Sequence, residues 1–410
     1  MDKLRVLHVC SASIDSGAFK GAIALHDSMQ GSDKVESRFL GQICSSNTKR
    51  GIYSYYGNNS IKNYYLSLLN RLDQLILKGY VSKKNDLFSN GKFGVKLNKH
   101  PLFQWADIIH LHWINQGFLS TRSILTINKP IIWTLRDMWP LTGGCHVNFS
   151  CSRFTNECGK CPALGSFNQN DISYKNKILK SKFLKYPFIS WIALSNWMLN
   201  QALSANVKNE NISLIPNVIN RSIFKFSENS ISTKVINEIN ILVGAANLRE
   251  KYKGFEFVIN ALNKIDFKCK VHTFGASTIK RSEIKHKIFH HGFIDDQNDL
   301  ADLFRSTDIF FAPSLVDSFG KTVAEAQMCG IPTIAFEDTG PADIIEHKIT
   351  GYLSKYADLE DLVAGLNYAI AKEWSAKEIS EITQKKFNTS KIVDSHIKLY
   401  KSQYVRFFQP

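Results

Sequence analysis

Long apolar runs are missing from this chain of 410 residues, and none approaches the ~18–20 consecutive apolar residues that a bilayer-spanning helix needs. Any membrane contact is therefore expected to be peripheral. Also missing near the amino terminus is the apolar core and small-residue cleavage site of an export signal. Met1 to Cys10 enters a strand-like pattern at once, and a cytoplasmic location is the expectation. There is no internal repeat, no low-complexity tract and no G-x-G-x-x-G dinucleotide fingerprint. Acidic residues are scarce against basic ones, 36 to 51, leaving a formal charge of +15 at pH 7. The excess is uneven: residues 49–99 carry ten Lys or Arg against Asp73 and Asp86 alone. Such a surface favours an anionic partner. The segment lacks zinc-finger, RNA-recognition and helix-turn-helix signatures, which argues against nucleic acid and leaves phospholipid headgroups or a diphosphate-bearing substrate.

What is present fits a globular protein of two domains. Hydrophobic residues make up 44% and charged residues 21%, which excludes a disordered or fibrous chain, and the length suits two cores of about 200 residues. Leu4–Cys10 reads as a buried strand, followed by a small-residue loop, Ser11 to Gly17, and a helix from Ala18 to Met29. Further apolar runs at Ile108–His112, Ile131–Leu135, Ile189–Leu194 and Ser213–Ile215 alternate with polar or helical stretches, as a parallel sheet requires. The pattern breaks around Pro216-Asn217-Val218 and a polar stretch through Thr233. It resumes with strands at Asn240–Gly244, Lys270–Phe274, Ile309–Pro313 and Pro332–Phe336, and a helix from Thr322 to Cys329. The expectation is an α/β protein with an N-terminal domain over 1–220, joined by a returning basic helix at 391–410, and a C-terminal domain over 221–390.

The run Ser314-Leu-Val-Asp317-Ser318-Phe319-Gly320-Lys321-Thr322-Val-Ala-Glu325 carries the strongest chemical signal. A strand ends at Pro313, Gly320 lets backbone approach a ligand, and the first turn of the next helix offers unbonded N–H groups to an anion. Carboxylates at 317 and 325 are suited to accepting sugar hydroxyls. Upstream, Arg249 and Lys253-Gly254 follow a strand end and suit a diphosphate. Ser16-Gly17-Ala-Phe-Lys20-Gly21 forms a small-residue turn before a helix, and Phe293 lies in His291-Gly292-Phe293.

The 317–325 run resembles the E-x7-E signature of glycosyltransferase family 4, retaining enzymes of the GT-B fold. Asp317 stands where that family has its first Glu, and Ala245 where it has an Arg. The resemblance extends through Pro216-Asn217, His291-Gly292-Phe293 and Thr339-Gly340 to Gly351, and thus over nearly the whole chain. It implies two Rossmann-like domains with parallel sheets facing a central cleft, and transfer of a sugar from a nucleotide-diphosphate-sugar to a growing, lipid-linked surface glycan at the inner face of the cell membrane. Glu325 would bind the ribose and Asp317 the transferred sugar. Gly17, Arg249, Lys253, Phe293 and Ser318 to Thr322 would complete the donor site, with no cofactor required for catalysis. The segment Ala106 to His112 with Pro130 to His146 resembles a subgroup that builds bacterial exopolysaccharide, colanic acid and O-antigen units. Arg136 stands where those relatives carry His. As a catalytic residue beside Asp317 and Lys253, Arg136 would stabilise the leaving diphosphate.

Three readings stay open. Cys145, Cys151, Cys158 and Cys161, the last two spaced C-x-x-C, could hold a structural zinc, form disulfides or remain thiols. His110 and His112 could be site residues or buried structural histidines. Ile61, Tyr65, Leu68, Leu69, Leu72, Leu75 and Ile76 recur at helical spacing, and their apolar face packs on the first domain, docks on an anionic membrane, or does both in part. Two other functions compete: a basic lipid- or nucleic-acid-binding protein with an inactive sugar site, and a GT-B sugar-nucleotide epimerase.

Overall fold

The computed structural model describes residues 3–80, 88–228 and 239–408. Part of the basic segment and most of the polar stretch ending at Thr233 lie outside the described residues. The chain divides into two compact units, Met1–Pro216 with Thr389–Pro410, and Asn217–Asn388. The expected borders at 220 and 390 fall four and two residues later.

The first unit holds a seven-stranded sheet: β1 (Leu4–Cys10), β2 (Val35–Gly41), β3 (Ile52–Ser54), β4 (Ile108–Leu111), β5 (Ile131–Thr134), β6 (Ile189–Ala193) and β7 (Ile212–Leu214). All pairs are parallel, in the order β3-β2-β1-β4-β5-β6-β7. Between the strands run α1 (Gly17–Ser28), α2 (Ser60–Leu75), α3 (Pro101–Trp105), α4 (Thr121–Ile124), α5 (Ile172–Lys185) and α6 (Asn196–Ser204). β4, β5 and β6 are buried throughout because helices cover both faces, which is why they read as continuous apolar runs. The core centres on Trp133, Trp191 and Phe183.

The second unit repeats the plan with six strands: β8 (Ile239–Gly244), β9 (Cys269–Phe274), β10 (Lys287–His290), β11 (Ile309–Phe311), β12 (Thr333–Phe336) and β13 (Gly351–Ser354), in the order β10-β9-β8-β11-β12-β13. Its helices are α7 (Phe255–Lys264), α8 (Gln297–Arg305), α9 (Lys321–Met328), α10 (Leu359–Ala371) and α11 (Ala376–Lys386). The last helix, α12 (Thr389–Phe408), packs on the first unit, burying His396, Tyr400 and Gln403, and Ser190 Oγ donates to Gln403 Oε1 at 2.8 Å.

In both sheets the strand order reverses beside the first strand, between β1 and β4 and between β8 and β11. Open parallel sheets bind ligands outside the carboxyl ends of the strands at such a point. Each unit thus has one position the topology singles out.

The helix expected over 61–77 is α2, which continues as a 3-10 turn over Ile76–Gly79. Of its seven apolar residues expected on one face, Leu69 is buried, Leu72 and Ile76 are half-buried, and Ile61, Tyr65, Leu68 and Leu75 are exposed. The expected face is therefore divided, with Leu69 packed in the core of the first unit and four of the seven turned to solvent. The side that packs carries Leu66, Leu69 and Asp73.

Candidate active site

At the β8/β11 reversal of the second unit, two loops are stitched together. Leu315 N and Val316 N both donate to Tyr252 O, at 2.8 and 3.2 Å. Gly254 takes φ 71°, and a Cβ there would lie 1.9 Å from Pro313 O, so only glycine lets the 251–254 turn approach the end of β11 this closely. The result is that Lys253 and Asp317 meet, Nζ to Oδ2 at 2.8 Å, each side chain about four-fifths buried (21% and 20% exposed). The other carboxylate oxygen of Asp317 accepts from Gly320 N at 2.8 Å and Phe319 N at 3.2 Å. Burial opposes both charges. The attraction between them prevails, with the lysine held above its ordinary pKa and the carboxyl, helped by the two amides, held below its own. Both are ionised at neutral pH.

Gly320, at φ 85°, starts α9, and no side chain caps that helix. A Cβ at Gly320 would meet Pro341 Cγ at 2.7 Å. Val323 N and Ala324 N donate back to Gly320 O at 2.9 and 3.2 Å, while Lys321 N and Thr322 N, the first two of the helix, have no acceptor within it, which makes this end of α9 suited to an anion. One turn on, the buried Glu325 pairs with Lys321 across i,i+4. Thr322 is half-buried at the first turn.

The remaining donor-site candidates divide. Arg249 is engaged by Glu283, Nη1 to Oε1 at 3.2 Å and Nη2 to Oε2 at 2.8 Å, donates to Thr278 O, and sits 4.6 Å over the Phe255 ring. Its hydrogen bonds hold the Glu283 carboxyl below the usual range. Phe319 is buried edge-on against Phe387, so it offers a ligand backbone rather than ring. Phe293 is 46% exposed after the left-handed Gly292, and Ser318 is half-buried in the 317–320 turn. Gly17 opens α1 in the first unit, with nothing within 4 Å of where its Cβ would be.

In the first unit, the end of β5 carries Arg136 beside a stack of histidines. His8 and His110 are register partners on β1 and β4. His110 and His112 stack at 4.2 Å, and His112 and His8 at 5.3 Å. His8 Nδ1 faces His112 Nε2 at 3.0 Å, and His112 Nδ1 faces Arg136 Nη2 at 3.3 Å. His110 is tied on one side to Tyr400 Oη at 2.7 Å and on the other to Thr134 Oγ1 at 2.8 Å. Burial, then mutual repulsion and the charge of Arg136, push all three imidazoles well below their ordinary pKa, and burial lowers that of Arg136 to about 10. The stack is neutral and the arginine charged. Nitrogens of His8, His110 and His112 lie within 4.8 Å of one another, yet those of His110 are committed to hydrogen bonds and a cation stands alongside, which disfavours a metal. Nothing local in the sequence marks His8, Tyr400 and His396, which are joined across β1, β4 and α12.

A second network was equally silent. Asp137 accepts from Trp113 Nε1 at 2.5 Å and Trp139 N at 2.9 Å, and meets His146 Nδ1 at 2.5 Å. His146 Nε2 in turn meets Ser89 Oγ at 2.8 Å. Ser89 is buried, its N–H donates to Gly144 O and its carbonyl accepts from Trp139 Nε1, so the array fixes the loop after β5.

Cys145, Cys151, Cys158 and Cys161 line one pocket, with Phe154 and Asn148 also on its wall, and no disulfide joins any of the four. Cys158, Gly159 and Lys160 take φ of 60°, 82° and 42°, a left-handed knuckle, and Cys161 N donates to Asp171 Oδ2 at 2.9 Å. A hydrogen bond from Cys145 lowers the Cys161 pKa to about 7, while Cys145 itself is raised.

Residues 227–386 match the family model described as glycosyl transferases group 1, which covers nearly all of the second unit. A 41.2 kDa uncharacterized protein from the cps region of Klebsiella pneumoniae is 26% identical over 223 residues, 52% of this chain and 61% of its own length. The putative colanic acid biosynthesis glycosyl transferase WcaC of Escherichia coli K12 is 22% identical over 316 residues, 72% of this chain and 76% of that protein. The chain thus spans about three fifths of the first relative and three quarters of the second. Among solved structures, Anabaena HepE in complex with UDP and glucose superposes with a TM-score of 0.65 at 15% identity, covering 97% of this chain and all of that one. Sucrose-phosphate synthase from Thermosynechococcus elongatus superposes at 0.69 and 13% identity, over 98% of this chain and all of its own. These structural likenesses establish the fold, two parallel-sheet units of the GT-B type.

Proposed function

We propose that this chain, whose second unit is a glycosyl transferases group 1 domain in a GT-B fold, is a retaining glycosyltransferase. It moves a sugar from a nucleoside diphosphate sugar to a growing, lipid-linked surface glycan. The observation that carries the reading is the Lys253–Asp317 pair set against the uncapped start of α9 at the β8/β11 reversal. A cation and a helix N-terminus together can neutralise the charge that develops on a departing diphosphate. When the phosphates enter, Lys253 turns to them and Asp317 is released to accept a hydroxyl of the transferred sugar. Glu325, one turn into α9, takes the ribose hydroxyls. Arg136, charged above its neutral histidine stack, is the first unit's candidate for stabilising that diphosphate. A phosphate oxygen of the leaving group takes the acceptor's proton, so no protein base and no divalent cation are needed. The names of WcaC and of the HepE complex support a surface polysaccharide product and make UDP the first nucleotide to try. Work at the inner membrane face, with the chain held peripherally, suits an acceptor on lipid. The four cysteines are proposed to hold a structural zinc, for which their shared pocket and knuckle speak. Metal content per chain, with and without a chelator, tests that part separately.

The test of the activity is a thermal-shift screen with UDP, GDP, ADP and their sugars, on wild type and on Glu325→Gln. One nucleotide is expected to stabilise the wild type and to lose most of that effect in the variant. Stabilisation by none of them would reject the donor site and favour a binding protein with an inactive sugar site. With the donor in hand, the anomeric configuration of the product by NMR decides retention.

A further inference from the structure

The exposed side of α2 has a chemistry of its own. Five of the seventeen large apolar side chains exposed among the described residues lie on this single helix: Ile61, Tyr64, Tyr65, Leu68 and Leu75, between 40% and 81% exposed. At 100° per residue they form one stripe about 100° wide, with the half-buried Leu72 within it. The helix is not loose. Asn59 caps it by accepting from Lys62 N at 2.9 Å. From its inner side the buried Asp73 accepts from Gly91 N at 2.9 Å, Lys92 N at 2.8 Å and Phe93 N at 3.3 Å. Gly117 packs so closely that a Cβ would lie 2.4 Å from Asn70 N. A pinned helix thus holds an apolar stripe out to solvent.

The charges around the stripe are of one sign. Asp73, turned inward, is the only acid from Ser60 to Gly79. Arg71 lies roughly 70° round the helix from the stripe's centre, on the solvent side, Lys78 is exposed in the 3-10 turn that continues the helix, and Lys62, at the azimuth of the buried Leu66, Leu69 and Asp73, leans over the Tyr56 ring, 5.8 Å from its centroid. The guanidinium of Arg71 reaches to 5.9 Å from the Tyr64 ring. Apolar side chains on one face, tyrosines beside them and cations at one shoulder are the pattern of a helix lying in a bilayer interface.

We infer that α2 docks this protein on an anionic phospholipid membrane, with the stripe sunk among the acyl chains and Arg71 and Lys78 at headgroup level. The docking stands on α2 itself. Its use, to hold the chain where a lipid-linked acceptor is found, rests on the transferase reading above.

Flotation of the full chain with vesicles tests it. Vesicles of phosphatidylcholine and phosphatidylglycerol in equal parts should bind the protein roughly thirtyfold more tightly than pure phosphatidylcholine, since two cations face the headgroups. High salt should erode the difference. The triple variant Ile61→Ser, Tyr65→Ser, Leu68→Ser changes solvent-exposed positions and should melt as the wild type does, yet lose at least about tenfold in vesicle binding. Equal binding by wild type and variant, or no preference for the anionic vesicles, would overturn the inference. So would a wild type that ignores vesicles but forms a dimer that the variant cannot, which would assign the stripe to a second copy. Nucleotide thermal shifts on the same two proteins keep the readings apart: vesicle binding without any nucleotide effect rejects the transferase and leaves the docking, and the reverse rejects the docking alone.

Discussion

Substituting the two members of the Lys253–Asp317 pair separately and together probes both the stability of the second unit and its proposed chemistry. Asp317→Asn keeps an oxygen for the amides of Phe319 and Gly320 but removes the charge opposite Lys253. Removing one partner of a fully buried pair costs about 3–5 kcal/mol. With about a fifth of each side chain exposed, solvent screening brings the cost to the bottom of that range or below, about 2–3 kcal/mol. In a unit of this size that is a fall of roughly 4–12 °C in melting temperature. Lys253→Met should cost a similar amount, and the double variant less than the sum by about 1–3 kcal/mol, because neither charge is then left alone. Binding should separate the single variants. Lys253→Met should weaken a nucleoside diphosphate by about 10–100-fold, the worth of one charged hydrogen bond. Asp317→Asn frees Lys253 for phosphate, so affinity for the bare diphosphate should hold or rise while affinity for the sugar nucleotide falls. Calorimetric titration of both ligands into all four proteins reads this directly. Additive destabilisation, or equal loss of bare-diphosphate binding in both single variants, would refute the argument.

The pair also has a pH signature. Asp317 is depressed in the folded state, so its contribution is present above the unfolded carboxylate value near 4 and is lost as pH falls through the lower folded value. In the first unit, His8, His110, His112 and His396 are all depressed, the last to about 4. Their contribution is present above about 6.5 and lost as pH falls toward 4. Six of the seven tryptophans lie in that unit, so the urea midpoint by tryptophan fluorescence should drop between these pH values, and a flat profile would count against the buried stack. Tyr400→Phe leaves His110 Nδ1 without its partner and should cost about 1–3 kcal/mol, read as a shift in the same midpoint. Gly254→Ala must push against Pro313 O, whereas Gly292→Ala, at the same φ of 71°, has nothing within 4 Å of its Cβ. The first should lower the melting temperature several times more than the second.

How far these features could be read in advance depended on whether they are local. The buried central strands β4, β5, β6, β11 and β12 announce themselves as apolar runs, since both faces need the same residue types. The strands without such a signal, β2, β3, β10 and β13, are short, partly exposed or charged, as in Val35-Glu-Ser-Arg-Phe-Leu-Gly41, and lie toward the sheet edges, where one face or one side needs no apolar cover. The loop-and-helix run from Asp317 to Glu325 was legible because its carboxylates, glycine and helix start are consecutive. Its pairing with Lys253, 64 residues away, depends on the approach of two loops that Gly254 permits.

The same distinction decides what α2 can tell. Helical spacing establishes that Ile61, Tyr65, Leu68 and Leu75 share a face, but periodicity alone cannot say whether that face looks inward. That is settled by the partners of the opposite side. Asp73 finds three backbone amides in the 91–93 loop, and Gly117 comes against Asn70, and both fix the rotation of the helix. A carboxylate on an amphipathic helix is ordinarily taken to mark the solvent side, and here it marks the buried one. Asp73→Ala should therefore act as a core substitution, leaving three amides without their acceptor and loosening the platform that presents the stripe. A variant that melts like the wild type and binds anionic vesicles as well would show that the helix is oriented by something other than this carboxylate.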